Sequence, residues 1–401
     1  MSFPKKLLLT LSLPLLLATY ARAQNLVSGR VLDRQTNQPV PYASVALLGT
    51  PFGTTSNAEG EFALNVSRLP ARLVVGQLGY GRDTVAVAAA GALARPVALT
   101  AAPVQLPDGE QSTFTAELIK KAYRVLVRDQ ARKQYGQAFY RQTSRLDNRP
   151  LDVNEMVWQV RATSAGLDGT VLTQARYARK KDALVNYRNF SVTTRNFSLL
   201  RSGSDTVRAG QILGPNPAEY YTLKLNGITQ SGGQSLAQIA FEGKPAYNDK
   251  HVVGQLFIDL DTYQILRFQA TTDVQSSANN PLFKLRNPRL TYDYTFRAGP
   301  DGAVPDHLLT TYSAMLGRLL KSDVQLAANG FTYFYDWRTT PTTGTDYAQA
   351  NGKASDLALI KATTYDPAFW RDNPVVKRTP LEEEIIRSFE QEKAFGTMLD
   401  K

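Results

Sequence analysis

The chain has 401 residues, 43% of them hydrophobic, and a formal charge of +11 from 46 Lys and Arg against 35 Asp and Glu. That length is enough to bury more than one core. It contains no cysteine, which excludes disulfide staples, thiol catalysis, thiolate metal sites and the cysteine-linked anchor of bacterial lipoproteins.

The first residues, "MSFPKKLLLTLSLPLLLATYARAQ", have the three parts of a secretory signal. Lys5 and Lys6 are its basic start, Leu7 to Leu17 its apolar middle, and Ala21-Arg22-Ala23 its small-x-small cleavage site. Residues 1–23 are therefore expected to be a removable leader, and its apolar middle is shorter than the ~20 residues of a membrane-spanning helix. Losing Lys5, Lys6 and Arg22 lowers the surplus of bases from eleven to eight. No later stretch reads as a transmembrane span. The expected location is the periplasm or the outer-membrane surface, where nucleic acid is not a partner. In "ARYARKK" (175–181) the basic run reads as an exposed strand end or loop, with an acidic glycan or lipid headgroup as its functional alternative.

Residues 24–101 show short β-rich runs separated by turn residues. In "GEFALNV", Phe62, Leu64 and Val66 alternate with Glu61, Ala63 and Asn65, the period of a half-buried strand. Regular short strands of this kind predict a small β-sandwich. The glycine-rich stretch "GTPFGTTSNAEGEFAL" (49–64) raises the question of a phosphate loop. Such a loop needs Gly-x4-Gly-Lys-Ser/Thr with a helix behind it. Here no Lys follows the glycines and a strand comes next, so Gly53 and Gly60 are expected at positive φ, and "SNAEGEF" is expected to be a hairpin connection with Asn57 and Gly60 as turn formers.

These residues also resemble a known family. Gly29-x-Val31-x-Asp33, Thr36, Pro39, Pro41-x-Ala43, Val45, Gly49-Thr50, Gly53-Thr54, Gly60-x-Phe62 and Gly79-Tyr80 are similar to the carboxypeptidase regulatory-like domain. The resemblance implies a transthyretin-like β-sandwich over about a fifth of the chain. In that family the module is an accessory one, so no catalytic residues come with it. It accompanies peptidases and, in Gram-negative envelope proteins, precedes outer-membrane transporters or uncharacterised secreted domains.

Residues 102–135 read as a linker and a helix. "AAPVQLPDG" (101–109) has two prolines and a glycine. After it Thr113 or Thr115 suits an N-cap and Glu117 the positive helix end, while Leu118, Ile119, Ala122, Val125 and Leu126 recur at helical spacing. With Lys120, Lys121, Arg124 and Arg128 opposite, this predicts a helix docked on the next domain rather than one lying in a membrane.

Residues 136–340 again carry β signals with short connections, which favours an antiparallel sheet. Tyr292, Tyr294 and Phe296 alternate in "KLRNPRLTYDYTFRAG". "FTYFYDW" places Phe331, Tyr333, Tyr335 and Trp337 at one-face spacing. The rows Tyr292/Tyr294/Phe296 and Tyr333/Tyr335/Trp337 are the candidate walls of a groove for an apolar or glycan ligand, core being the commoner fate of such rows. "GQLFIDLDTYQILRF" reads as a hairpin. Its Asp259 and Asp261 suit the turn better than calcium, which wants further oxygens and a glycine bend.

"YYTLKLNGIT…IAFEGK…GQLFIDLDTYQILR" resembles the β-rich region that follows the regulatory-like domain in Gram-negative envelope proteins. More weakly, its hairpin style is similar to the curved half-barrel of periplasmic lipoprotein carriers, which implies a concave apolar cup. The tail, residues 341–401, holds a helix start in "TPLEEEIIRSF". Thr379 is the N-cap, Pro380 the first position and Glu382 the partner in a capping box, with Leu381, Ile385 and Phe389 as the buried stripe. The triplet Glu382–Glu384 makes a poor metal or acid/base cluster, since consecutive helix residues face different ways.

Only His251 and His307 exist, each near a strand start and so expected at a surface or strand end, and two histidines without cysteine make a poor zinc site. There is no Gly-x-Ser-x-Gly elbow. Asp306 before His307 does not build a triad. A pair of distant carboxylates, as in glycosidases, leaves no trace in sequence.

The expected fold is mainly β, a transthyretin-like sandwich plus a larger curved antiparallel sheet with linker and C-terminal helices. The expected function is that of a non-catalytic, cofactor-free envelope binding protein for an apolar or glycan ligand. A hydrolase of envelope glycans or lipids and an accessory partner of an outer-membrane protein are the alternatives.

Overall fold

The computed structural model describes residues 25–395 apart from 51, 103, 106–110, 148, 181–189, 232, 248–250, 275–282, 319–320, 350–354 and 373–374. The expected leader lies outside the described residues.

β1 (Asn25–Asp33), β2 (Ser44–Leu47), β3 (Gly53–Thr55), β4 (Glu61–Val66), β5 (Ala71–Gly76), β6 (Asp83–Val87), β7 (Gly91–Ala92) and β8 (Val97–Leu99) build the N-terminal sandwich. One sheet runs β4-β1-β7 with β8 also on β1, and the other β3-β2-β5-β6. Val27, Val31, Val45, Phe62, Leu73 and Val75 are fully buried between them. They are alternate residues of their strands, as the side-chain period of two requires.

The glycine-rich stretch turns the chain, but it is not a hairpin. β3 pairs with β2 and β4 with β1, so "SNAEG" carries the chain from one sheet to the other. Asn57 organises the crossing, its Oδ1 accepting from Glu59 N at 3.0 Å and Glu61 N at 2.8 Å. Gly60 has φ +75°, and a Cβ there would lie 2.5 Å from Val31 O. Gly53 is needed for closeness rather than for positive φ, because its missing side chain would meet Val45 O at 2.8 Å.

The rest of the chain contains β9 (Val104–Gln105), α1 (Gln111–Asp129), β10 (Gln134–Leu146), β11 (Arg149–Thr163) and β12 (Gly166–Arg179). Three short helices follow, α2 (Val192–Arg195), α3 (Asp205–Arg208) and α4 (Pro217–Tyr220). Then come β13 (Tyr221–Ser231), β14 (Gln234–Gly243), β15 (Val252–Asp259), β16 (Ile265–Asp273), β17 (Phe283–Arg297), β18 (Val304–Arg318) and β19 (Lys321–Arg338). The tail holds α5 (Asp356–Lys361), α6 (Pro367–Asp372) and α7 (Pro380–Gln391).

All the long strands join one antiparallel sheet in the order β12-β11-β10-β19-β18-β17-β16-β15-β14-β13, with β9 on the far edge. β12 and β9 do not pair with each other, so the sheet stays open. β19 runs unbroken from Lys321 to Arg338 and carries "FTYFYDW" in its second half. Part of the expected linker is strand as well, since β9 pairs with Ile228 and Thr229.

The sheet curls around α1. That helix packs on β13 and β15 near one edge. Toward the other edge, in the β11–β12 turn, Ser164 Oγ donates to Leu126 O at 3.2 Å. One helix reaches both sides only if the sheet bends around it. α1 starts at Gln111, ahead of both threonines proposed as caps, and Thr115 is fully buried inside it. Threonine costs a helix only a few tenths of a kcal/mol, less than burying Leu118 and Ile119 contributes. Inside the curl, Tyr140, Trp158, Leu236, Ile239 and Leu308 pack against Ile119, Ala122, Phe197 and Leu213. The protein's own helix and its 190–220 segment occupy the expected apolar cup.

The tail covers the outer face at the β10–β12 end. Phe139, Val157, Phe331 and Tyr333 pack with Trp370 and Val376, and Val153 and Ala178 with Ile385, Ile386 and Phe389. The start of α7 is as expected, with Thr379 Oγ1 accepting from Glu382 N at 3.1 Å and Glu382 Oε2 from Thr379 N at 2.8 Å. The buried face differs by one position. Leu381 is 46% exposed and Ile386 takes its place, because residues 385, 386 and 389 are the ones that pack on Val153 and Ala178.

The basic run at 175–180 is not a solvated patch. Arg176 is buried, donating from Nε to Glu155 Oε2 at 2.6 Å, and its guanidinium lies 4.9 Å from the Trp370 ring and 4.6 Å from the Phe395 ring. Lys180 pairs with Glu392 of the tail. The last residue of the run, Lys181, lies outside the described residues.

Candidate binding cleft

The sandwich sits on the outer face of the large sheet, and the tail runs between the two. Thr54 Oγ1 donates to Val375 O at 3.0 Å, Asn57 Nδ2 to Arg378 O at 3.1 Å, and Lys377 pairs with Glu61 at 2.9 Å. On the sheet side, Ser231 Oγ donates to Tyr80 O at 3.1 Å. Tyr42, in a turn at φ +56°, stacks on Phe331 with ring centroids 5.0 Å apart.

Where these surfaces part they leave a cleft of about 300 Å³. Ser44, Thr50, Phe52 and Arg82 line its sandwich wall, and Gln234, Arg297, Asp306 and Tyr333 its sheet wall. Volumes of this size at domain junctions, with apolar walls and a few polar groups, are common ligand sites. Phe52 is 61% exposed at the cleft. Arg82 is exposed, and its side chain lies over Gly76, where a Cβ would come within 3.0 Å of its Cγ. It has no carboxylate partner among the described residues.

Asp306, 5% exposed, is the cleft's acid. Arg297 Nη2 donates to its Oδ1 at 2.7 Å, and His307 Nδ1 lies 3.0 Å from its Oδ2. Burial works against ionising this carboxyl, but Arg297 and His307 outweigh burial and hold it well below the usual carboxylate range. The same pairing raises Arg297. His307, expected at a surface or strand end, is 3% exposed within β18. Its ring centroid is 5.7 Å from that of Tyr42 and 6.3 Å from that of Phe331. The sandwich and Phe331 cover a position that looks peripheral when the strand is read alone.

A second, open concavity of about 650 Å³ crosses the outer face of β13–β18. Lys224, Gln255, Gln269 and Asp293 form one row across it, and Tyr292 borders it although its ring lies beside Tyr294 on the inner face. Asp293 is engaged by Arg267 at 2.8 and 2.7 Å.

The structure separates the two aromatic rows. Tyr294 pairs with Leu308 and Leu308 with Thr332, which puts Tyr292, Tyr294 and Phe296 on the inner face. Tyr333 and Tyr335 lie on the outer face. Trp337 leaves the row proposed for it. Asp336 has φ +57° and the β10–β19 register shifts there, so Trp337 turns inward, its ring 6.0 Å from Phe334. Tyr294 and Phe296, each 3% exposed, belong to the core, although Phe296 also reaches the cleft beside Tyr333. The Asp259–Asp261 turn is a turn. Asp259 Oδ1 accepts from Asp261 N at 2.9 Å and Thr262 N at 2.8 Å. No group of acids and histidines placed to hold a metal occurs among the described residues.

Arg82, Arg297 and Asp306 were not singled out as site residues from the sequence. They come from different domains, and no motif spans them. The unbroken run Arg297 to Asp306, a turn between two strands with opposite charges at its ends, was the one local signal.

Residues 27–106 match the CarboxypepD_reg-like domain family. This regulatory-like domain is the sandwich together with β9. No curated protein matches the chain. Among solved structures, a DUF1329 family protein from Desulfovibrio piger is similar at 10% identity, over 57% of this chain and 95% of that one, with a TM-score of 0.21. A lipovitellin structure, titled for its lipid–protein interactions, is 12% identical over 65% of this chain and 31% of its own, with a TM-score of 0.28. A Bacteroides fragilis protein of unknown function, described as membrane-associated, is 11% identical over 78% and 97% of the two chains, with a TM-score of 0.15. Scores this low carry no argument about what the chain binds. No helix among the described residues is long and apolar enough to cross a membrane.

Proposed function

We propose that this is an exported, non-catalytic binding protein of the cell envelope, which holds a polar ligand between its regulatory-like sandwich and its large sheet. The observation that carries the reading is the cleft, walled by two bodies that the tail fastens together. The apolar cup suggested by half-barrel carriers is filled by α1 and the 190–220 segment, which moves the reading from an apolar cargo toward a glycan-like one. Asp306 is committed to Arg297 and His307, which favours binding over acid/base chemistry.

The test is native mass spectrometry of protein purified gently from its own periplasm, alongside a variant that fills the cleft, Ala46→Trp, at a β2 residue lining its sandwich wall. The expected result is a stoichiometric adduct on the natural protein that the variant loses. A clean chain in both, or an adduct indifferent to Ala46→Trp, overturns the assignment.

A further inference from the structure

Resting on the cleft reading, we propose that the cleft recognises an anionic sugar, a saccharide bearing a carboxylate or phosphate, with Arg82 and Arg297 meeting the anion and Phe52 lying against the sugar ring. The cleft's charged side chains are two guanidinium groups and one carboxylate. That carboxylate is already neutralised by Arg297 and approached by His307, so its acceptors are used within the protein. Arg82 has no carboxylate partner among the described residues. The local balance is therefore positive at one place, on the sandwich wall.

A guanidinium is the side chain best shaped to meet a carboxylate or phosphate with two parallel hydrogen bonds. Arg297 suits this role for a second reason. One of its nitrogens is fixed on Asp306 at 2.7 Å, which orients the planar fork before a ligand arrives and reduces the entropy lost on binding. The remaining polar groups, Ser44, Thr50 and Gln234, can both donate and accept, as sugar hydroxyls require. Phe52 completes the set, since an apolar ring left 61% exposed beside hydrogen-bonding groups offers the flat surface that the C–H face of a pyranose covers. The volume of about 300 Å³ accommodates one or two sugar rings and not a folded partner.

The test is isothermal titration calorimetry of the full mature chain with three probes, a galacturonate trimer, a glucose phosphate and a neutral galactose trimer. Galacturonate or glucose phosphate is expected to bind at least tenfold more tightly than the neutral trimer, and whichever binds identifies the anion's source. Arg82→Gln, on an exposed residue, is expected to weaken that binding at least tenfold without changing thermal unfolding, Arg82→Lys to restore part of it, and Phe52→Ala to weaken all sugars alike. If the neutral trimer binds as well as the charged probes and Arg82→Gln changes nothing, the anion assignment fails. Sensitivity to Ala46→Trp would then still place a ligand in the cleft. If no probe binds, and native protein carries no adduct sensitive to Ala46→Trp, both readings fail together.

Discussion

Asp152 and Glu155 lie three residues apart on β11 and point to opposite faces of the sheet. Both are almost fully buried, at 2% and 1% exposure. Burial opposes ionisation of each, and the outcome differs because the two faces are built differently. On the outer face Glu155 accepts from Arg141 Nε at 2.7 Å and Arg176 Nε at 2.6 Å. Arg141, Arg176 and, at longer range, Arg378 outweigh desolvation and pull its carboxyl down to about 2. On the inner face desolvation dominates at Asp152. Ser144, Arg179 and Gln142 offset it only in part, and its carboxyl is pushed up to about 6. The inner face holds the apolar core built with α1 and the 190–220 segment, the outer a tail whose attachment includes charges. Glu382 of α7 reaches Arg141 at 3.2 Å and Glu390 reaches Arg176 at 3.4 Å.

The comparison breaks most visibly at Glu155. Glu155→Gln leaves two buried guanidinium groups without their shared partner, and a buried pair broken on one side costs about 3–5 kcal/mol. Urea unfolding is expected to show that loss, and limited proteolysis faster cleavage within the tail. In the natural protein the depressed value means that the Glu155 contribution is complete above its unfolded value of 4.5 and is lost as pH falls from there toward 2. A tail that stays equally protected at pH 7 and pH 3 would contradict the ionic account of its attachment.

Asp152 predicts the opposite sign. Its carboxyl is raised from 3.8 to about 6, so the folded state prefers it protonated, and the penalty grows as pH rises from 3.8 and is complete above 6. Asp152→Asn is therefore expected to stabilise the protein at pH 8 by about 1–3 kcal/mol, since each tenfold change in acidity is worth about 1.4 kcal/mol. At pH 3.5 the advantage disappears. Denaturant midpoints at the two pH values decide it, and a variant less stable at pH 8 would show that the charged Asp152 is favourably held.

A smaller effect tests the tail alone. Thr379→Ala removes the side-chain acceptor for Glu382 N and is expected to cost about 1 kcal/mol, with protease sensitivity rising at α7 and not in the sandwich. The smallest effect belongs to Arg82→Gln, within about 0.5 kcal/mol of the natural protein by urea unfolding. That near-silence keeps changes in ligand binding at the cleft apart from changes in folding.

Local pattern made much of this legible. The alternation in "GEFALNV" became β4 with Phe62, Leu64 and Val66 inward, and the Thr379–Glu382 capping box formed as read. Both depend on neighbours within a few residues. The sandwich was likewise visible from its short alternating strands, and its regulatory-like character through the family resemblance that its motif residues carry. The misreadings share a different cause. Trp337 changed face because one residue, Asp336, adopted a left-handed conformation that nothing in "FYDWR" announces. Arg176 and His307 looked exposed because what covers them, the tail and the sandwich, lies far along the chain.

By itself the sequence determined the class of the protein: a β-rich chain with an accessory sandwich, a docked helix and a capped tail, since periodicity, turn chemistry and caps are short-range. Tertiary structure alone decided that the sheet curls around α1 and fills its own hollow, and that the tail lies between sandwich and sheet. It also decided that Arg82 of one domain shares a cleft with Arg297 and Asp306 of the other. Such encounters depend on how whole faces pack, and packing energy is collected from contacts that sequence spacing does not record.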